Sequence, residues 1–155
     1  MKEEFNLEIL YAQVAVFDSG LDRPYNRWTK PHLDQGFCWR ERSVSFALPD
    51  DGLIQTTLRI GEEPALPEKA IRIIRVPFRS QSGVMEIGSV IATRKFRVGV
   101  GKLDLYFSLV VPPSEKYVAA VNVSVEPSRY ADAAILRRDG LLFPADVLLM
   151  AADPA

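Results

Sequence analysis

The sequence is poor in the residues that build metal centres and disulfides, because its 155 residues include one cysteine, Cys38, and one histidine, His32. A lone cysteine cannot form an internal disulfide, and structural zinc sites draw their ligands mainly from several cysteines and histidines. The sequence also lacks an EF-hand loop, a glycine-rich phosphate loop and an HExxH motif. We therefore predict no metal site, no cofactor and no catalytic residue, so the chain is not expected to be an enzyme.

Long apolar runs are also missing, since no stretch approaches the ~20 residues that a membrane-spanning helix needs. The first residues, MKEEFNLEILYAQ, begin with acidic side chains and alternate in polarity, which is unlike a signal peptide. Apolar residues make up 48% of the chain and charged residues 25%, a balance typical of globular proteins. These features predict one cytoplasmic domain over residues 1–155, without membrane association.

The net charge of −1 conceals an uneven distribution along the chain. Residues 1–68 carry 7 basic and 12 acidic side chains, whereas residues 69–102 carry 8 basic and 1 acidic. The basic segment is compatible with a nucleic-acid face, or with an outward row of strand residues that acidic neighbours balance in space. We favour the second interpretation, because proteins that contact phosphates directly usually carry a positive field over the whole domain.

Apolar residues recur with a period of two almost everywhere, which is typical of β-strands with one buried face. Predicted strands cover Leu7–Phe17, Ser43–Pro49, Leu53–Ile60, Ala70–Phe78, Val84–Ala92, Arg94–Val100, Leu103–Pro113 and Tyr117–Pro127. No helical segments alternate with these strands, so a doubly wound α/β fold is disfavoured. The pattern predicts an all-β protein, a two-sheet β-sandwich of eight to ten strands with one short helix.

Two segments need a separate interpretation. Thr29–Gln35 is predicted to be the short helix, with Thr29 as its N-cap. Near the C-terminus, a helix over Ala131–Arg138 competes with a hairpin between Ile135 and Phe143. We favour the hairpin, closed by Asp139-Gly140 and followed by a last strand over Asp146–Met150, because Asp-Gly between apolar residues is a hairpin signal.

The stretch RWTKPHLDQGFCWRE, Arg27–Glu41, contains the only histidine, the only cysteine and both tryptophans. A cysteine nucleophile needs its thiolate beside an imidazole, and His32 and Cys38 lie near each other in sequence. However, cysteine is among the residues most often buried as a small apolar side chain. We expect Cys38 to be a packed thiol and His32 to be a surface ring, although a cysteine-dependent enzyme stays an alternative.

Aromatic residues and arginines alternate around the same stretch. Tyrosine, tryptophan and arginine dominate binding hot spots, which favours a docking surface. The alternative is that the aromatic rings pin a long loop against the sandwich, and we expect this for Trp28. The adjacent acids Asp50-Asp51 and Glu62-Glu63 are predicted to be turn residues in water.

Several motifs give the chain a resemblance to the competence protein J (ComJ)-like family. They are Tyr11 and Gln13 before Val16-Phe17, Trp28-Thr29, Gly36-Phe37, Ser45-Phe46, Val76-Pro77-Phe78 and Val111-Pro112. Their order and spacing carry the resemblance, which extends from about Leu7 to Met150. It implies a non-enzymatic protein that binds a bacterial DNA-entry nuclease and blocks the DNA-binding cleft of that partner.

The resemblance favours carboxylates placed where DNA phosphates would lie, and the acidic first part of the chain suits that role. We predict that the loop region from Asp18 to Glu41 contacts the partner. The predicted contact residues are Asp18, Asp22, Tyr25, Arg27, Trp28, Asp34, Trp39 and Glu41. The alternative is a small-ligand or carbohydrate-binding module in which Trp28 and Trp39 stack on sugar rings. Homodimerisation is left open.

Overall fold

The computed structural model describes every residue from Met1 to Ala155. It contains eleven strands and one short helix. In chain order these are β1 (Lys2–Ile9), β2 (Gln13–Asp18), α1 (Lys30–Gln35), β3 (Phe37–Arg40), β4 (Ser43–Ala47), β5 (Gly52–Ile60), β6 (Arg72–Ser80), β7 (Val84–Gly88), β8 (Thr93–Arg97), β9 (Gly101–Val110), β10 (Ala119–Pro127) and β11 (Ala134–Arg137). No helix has the length and apolar character that crossing a membrane requires.

The strands form two sheets that pack face to face, which confirms the predicted all-β sandwich with one short helix. Sheet A has the strand order β1-β5-β10-β9-β6-β11, and sheet B has the order β3-β4-β2-β7-β8. Neighbouring strands are antiparallel except β5 and β10, which run parallel from the pair Ala119–Ile54 to the pair Val125–Ile60. The period-two pattern predicted this architecture because each strand buries one face against the other sheet.

The core lies between the sheets and consists of the alternate, inward-facing residues of each strand. At its centre, Phe46 of sheet B stacks on Phe107 of sheet A, with ring centroids 4.3 Å apart and ring planes inclined by 3°. Both rings are fully buried. Because truncating a buried phenylalanine costs about 3–5 kcal/mol, this pair contributes strongly to holding the two sheets together.

Both outer faces are also covered, by connecting segments rather than by further sheets. Residues 19–35, which we name the β2–α1 segment, cross the outer face of sheet B. On sheet A, the segment 61–71 places the Ala65 amide 3.2 Å from Ser124 Oγ. The connection 128–133 from β10 to β11 crosses β9 and β6, and its Arg129 amide donates to Asp104 Oδ2 at 2.8 Å. Polar side chains on these faces are therefore buried as well.

The predicted strand Leu7–Phe17 is two strands, β1 and β2, which lie in different sheets. The chain turns at Tyr11 and Ala12, whose φ angles of 61° and 47° are left-handed. This turn contains no Gly, Pro, Asn or Asp, and the apolar alternation continues through it. The usual sequence signals of a turn are therefore missing at this position.

The predicted C-terminal hairpin and last strand are wrong, and so is the alternative helix. Only β11 forms, and it pairs with β6 through Ala134 and Arg75. Asp139 does not close a hairpin; its carboxylate pairs with the buried Arg72 guanidinium at 3.0 Å. Residues 139–155, which we name the C-terminal tail, then run beside the β2–α1 segment without forming a regular strand.

Other boundaries shift by a few residues. The predicted strand Val84–Ala92 ends at Gly88, because the chain reverses tightly there: a Cβ atom on Gly88 would lie 2.2 Å from the Ala92 carbonyl oxygen. The strand predicted from Ala70 begins at Arg72 and extends to Ser80. Alternate residues of both strands face the core: Ile74, Val76 and Phe78 of β6, and Met85 and Ile87 of β7.

Candidate functional site

Hydrogen bonds that could not be predicted from the sequence hold the β2–α1 segment on sheet B. Asn26 is buried, and its side-chain amide donates to the carbonyl oxygens of Cys38 at 3.0 Å and Ser43 at 3.3 Å. Its Oδ1 accepts a bond from Arg40 Nε at 2.6 Å. A buried amide that satisfies backbone groups on two neighbouring strands fixes the segment at one position on the sheet.

Tyr25 and Trp28 are aromatic anchors of this segment. Tyr25 packs edge-on against Phe17, with centroids 5.8 Å apart, and its hydroxyl donates to the Ser89 carbonyl oxygen at 3.0 Å. Burial, with a contribution from Glu86, raises the pKa of the Tyr25 hydroxyl. The Trp28 indole donates to Gln13 Oε1 at 2.7 Å, which confirms that Trp28 anchors the loop. Both rings stay partly exposed.

Helix α1 begins after Thr29, as predicted, and His32 completes its cap. The Thr29 amide donates to His32 Nδ1 at 3.0 Å, so histidine takes the place of the usual glutamate of a capping box. Since Nδ1 accepts this bond, the neutral ring carries its proton on Nε2, which donates to the Ala151 carbonyl oxygen at 2.8 Å. His32 is 2% exposed, so the prediction of a surface ring is wrong.

The C-terminal tail completes this side of the molecule. The Gln35 side chain donates from Nε2 to the Leu149 carbonyl oxygen at 3.0 Å and accepts the Leu149 amide proton at Oε1, with a distance of 2.9 Å. The Arg27 amide donates to the Asp153 carbonyl oxygen at 2.8 Å, and Asn26 forms a β-bridge with Pro154. Two buried polar residues of the β2–α1 segment, His32 and Gln35, thus bind residues more than a hundred positions later in the chain.

Cys38 is a packed thiol, as predicted. It is fully buried and its Sγ lies 3.3 Å from the Arg27 carbonyl oxygen. Burial raises the pKa of the Cys38 thiol to about 12, against a smaller opposing effect of Arg40. The two ring nitrogens of His32 bind Thr29 and Ala151, so the structure does not form the Cys–His pair that the sequence suggested. No group of three or more His, Cys, Asp or Glu side chains lies close enough together to hold a metal ion.

Asp18 is placed too deep to touch a partner, because none of its surface is exposed. Arg42 contacts its Oδ2 at 2.6 Å, and the Gln81 and Ser82 amides donate to its two oxygens at 3.1 Å. Burial opposes ionisation, but hydrogen bonds from Ser82, Arg42 and Gln81 together outweigh it and hold the pKa of the Asp18 carboxyl below its ordinary value. Asp18 therefore fixes the 80–83 turn, and we remove it from the predicted contact set.

The remaining predicted contact residues fall into two groups. Asp22, Tyr25, Arg27, Trp28 and Asp34 lie on the β2–α1 segment, over the outer face of sheet B. Trp39 and Glu41 lie elsewhere: Trp39 faces the core side of β3, and its indole donates to the Pro77 carbonyl oxygen of sheet A at 2.7 Å. The two tryptophans are thus on opposite sides of sheet B and do not form one platform for a sugar.

A further surface, the Tyr11 patch, was missed by the sequence predictions. We define it as Glu8, Leu10, Tyr11, Asp50, Asp51 and Val90, all exposed where the strands β1, β2, β5 and β7 begin or end. The Tyr11 side chain is 72% exposed on its left-handed turn. Asp51 Oδ1 accepts the Ala12 amide at 2.7 Å, so the turn and the acidic loop are linked. Tyr11 and Tyr25 border the same shallow depression, which joins this patch to the β2–α1 segment.

The basic residues 69–102 do not form one continuous face. Arg72 pairs with Asp139, Arg75 with Asp132, Arg79 with Glu41 and Arg94 with Glu3, at distances from 3.0 to 3.7 Å. Carboxylates from elsewhere in the chain thereby balance half of the basic side chains in the segment, as the favoured interpretation predicted for those four. The other four, Lys69, Lys95, Arg97 and Lys102, pair with no carboxylate, so part of the positive excess remains on the folded surface.

Comparisons with known proteins give a consistent result. A family model for competence protein J (ComJ) matches residues 6–131. Among solved structures, ComJ from Bacillus subtilis, an inhibitor of the DNA degrading activity of NucA, aligns with a TM-score of 0.71 at 18% identity, over 81% of this chain and 96% of that chain. The crocagin biosynthetic gene J product aligns with a TM-score of 0.53 at 11% identity, over 83% of this chain and 96% of that one. At these identities the two structures show a shared fold. No curated protein matches significantly.

Proposed function

Because this chain belongs to the competence protein J (ComJ) family, we propose that it is a non-enzymatic protein that binds a bacterial DNA-entry-type nuclease and inhibits it. The family match over residues 6–131 carries the proposal. It is supported by the fold shared with the B. subtilis ComJ structure, whose protein inhibits NucA. The protein partner is therefore a nuclease rather than DNA itself.

We propose further that the inhibitor blocks the DNA-binding cleft of the nuclease with the Tyr11 patch. A cleft that binds DNA is basic, since it must neutralise phosphates. The exposed carboxylates of Glu8, Asp50 and Asp51 lie at the same end of the sandwich as the exposed Tyr11 ring, and no ion pair neutralises them within the chain. Complementary charge steers association, and a central aromatic residue supplies the contact that excludes water.

The accessible predicted residues extend this proposed surface. From Tyr11 it continues over Tyr25 to Trp28, which is bound to Gln13 beside the patch. Asp22 adds an exposed carboxylate along the β2–α1 segment, Asp34 adds one that Lys30 contacts at 2.8 Å, and Arg27 adds an exposed cation. The proposed surface leaves out Trp39 and Glu41, because Trp39 faces the core side of β3 and Glu41 binds Arg79 at the edge of sheet A.

The test uses the purified protein with a DNA-entry-type nuclease from the same genome. Cleft blocking predicts that the protein raises the KM for DNA and leaves kcat unchanged, because DNA and inhibitor exclude each other. The variant E8Q/D50N should associate about tenfold more slowly at low salt, since steering charges act mainly on the association rate. E63Q/E68Q, which also removes two exposed carboxylates but from the 61–71 segment, is the matched control and should behave like the parent protein.

The outcomes separate the two parts of the proposal. If no complex forms and cleavage is unaffected, the inhibitor function itself is excluded for that nuclease. If cleavage falls through kcat alone, the protein is an inhibitor that does not block the DNA-binding cleft. If E8Q/D50N and E63Q/E68Q slow association equally, the Tyr11 patch is not the contact surface.

A further inference from the structure

A cavity of about 410 Å³ lies at the end of the sandwich away from the Tyr11 patch. It arises because β11 pairs only with residues 73–75 of β6, so the second half of β6 has no strand beyond it. Trp39 and Glu41 reach this open edge from sheet B: the indole donates to the Pro77 carbonyl oxygen, and the Arg79 amide donates to the Glu41 carbonyl oxygen at 2.9 Å. The 128–133 connection forms the opposite wall.

Three aromatic residues and three cations line this cavity; Phe78 belongs to the buried core, whereas the rings of Trp39 and Tyr130 are partly accessible. The Arg75 guanidinium stacks on one face of the Tyr130 ring, with its Cζ 3.7 Å from the ring centroid, and holds the ring in place. The Trp39 ring is fixed by its bond to Pro77. The charged lining residues are Glu41, Arg79, Lys102 and Arg129.

The charge balance in the cavity is positive. Glu41 contacts Arg79 at 3.3 Å, and both side chains are more than half exposed, so this pair is weakly held. Arg129 approaches Glu126 only at 3.9 Å and keeps 71% of its side chain exposed. No carboxylate lies within ion-pair distance of Lys102. Lys102 and Arg129 thus present donors to an incoming anion, and Arg79 adds a cation that is only weakly paired with Glu41.

We propose that this cavity binds a small ligand that combines a flat aromatic ring with an anionic group, a phosphate or a carboxylate. Its volume is in the range of small-molecule sites. Trp39 and Tyr130 offer ring faces on which an aromatic ring or a nucleobase stacks. Lys102 and the guanidinium groups of Arg79 and Arg129 match the anion, since guanidinium binds phosphate and carboxylate through paired hydrogen bonds. The site goes beyond nuclease inhibition and does not depend on it.

Trp39 is a natural reporter of occupancy. The chain has two tryptophans, so the variant W28F leaves Trp39 as the only indole. We expect adenosine 5′-monophosphate to quench the fluorescence of W28F saturably, and calorimetry on the unaltered chain to give the same dissociation constant. Adenosine and inorganic phosphate each carry half of the required chemistry and should bind at least tenfold more weakly. Benzoate carries a carboxylate on an aromatic ring and so tests whether the anion is a carboxylate or a phosphate. If benzoate binds as tightly as the nucleotide, the site is assigned to aromatic carboxylates.

Charge variants test the assignment of the cavity. K102Q and R129Q should each weaken nucleotide or benzoate binding about tenfold, because each removes one charge-assisted contact. K116Q removes an exposed cation near the opposite end of the strands and is the matched control, with unchanged binding expected.

Three results would overturn the proposal. The first is no saturable binding of either nucleotide or benzoate at millimolar concentration by both methods. The second is equal binding of adenosine and its monophosphate together with no binding of benzoate, which would exclude an anion site. The third is binding that K102Q and R129Q leave unchanged. No nuclease is present in these binding measurements. A negative result in them therefore leaves the proposed nuclease inhibition unaffected, and a negative inhibition assay leaves the proposed ligand site unaffected.

Discussion

Tyr11 offers a test in which stability and function are expected to change in opposite directions. Its φ of 61° is left-handed, a conformation that costs a residue with a side chain about 1–2 kcal/mol and glycine almost nothing. Glycine loses more backbone freedom on folding, which offsets about 0.5–1 kcal/mol of that gain. Because 72% of the Tyr11 side chain is exposed, its removal forfeits little buried surface. The variant Y11G should therefore be more stable than the parent protein by about 0.5–1 kcal/mol.

Y11A is the matched control, because it removes the ring and keeps the cost of the left-handed backbone. Y11G should exceed Y11A by about 1 kcal/mol in the free energy of unfolding from urea titration. For a chain of this size that difference raises Tm by about 2–4 °C. A result in which Y11G is less stable than Y11A would refute the argument from the turn.

The inhibition assay tests the functional half of the same prediction. If Tyr11 is the central aromatic contact, Y11G and Y11A should both lose about 2 kcal/mol of binding to the nuclease, roughly a thirtyfold weaker complex. The two variants should agree, since the ring is absent from both. Full inhibition by both variants would mean that the ring does not touch the partner.

The remaining predictions concern buried groups. D18N should cost about 3 kcal/mol at neutral pH, because Arg42 and two backbone amides lose a charged acceptor. Since the folded pKa of Asp18 is lowered, its stabilisation is present above the ordinary value of 3.8 and is lost as the pH falls through the folded pKa. Urea titrations of the parent and D18N should therefore converge in acid, and a constant difference would contradict this reasoning. Cys38, with its thiol pKa of about 12, should react with a thiol reagent orders of magnitude faster in urea than in the folded protein. Rapid labelling of Cys38 in the native protein would argue against the burial of this thiol. H32A should destabilise the protein by about 2–3 kcal/mol and speed amide hydrogen exchange in the C-terminal tail, because the bond to Ala151 is lost. Unchanged exchange in the tail would mean that this bond does not hold it.

The fold could be predicted because alternation along each strand reflects burial directly. Val14 and Val16 of β2, and Leu105 and Phe107 of β9, face the core as their period-two spacing indicates. The start of helix α1 at Thr29 could likewise be predicted from the local sequence, since capping depends on neighbouring residues.

What could not be predicted depends on contacts between distant parts of the chain. Asp18 looks like a surface turn residue until the amides of residues 81 and 82 approach it. His32 looks exposed until the tail supplies the Ala151 carbonyl group 119 positions later. Asp139-Gly140 has the composition of a hairpin turn, but the attraction of the buried Arg72 cation determines where Asp139 lies. Local sequence patterns do not indicate such contacts between distant residues.

The short strand β11 has a consequence for solubility as well as for the cavity. A strand edge with unpaired amide and carbonyl groups is a template on which other chains add and aggregate. Half of β6 would be such an edge, but Pro77 has no amide proton to offer, the Trp39 indole occupies its carbonyl oxygen, and the Glu41 carbonyl oxygen takes the Arg79 amide proton. The molecule thus protects an incomplete sheet with one side chain and one main-chain group from the other sheet. Since these groups cap the edge without covering it as a strand would, they leave the space that the cavity occupies.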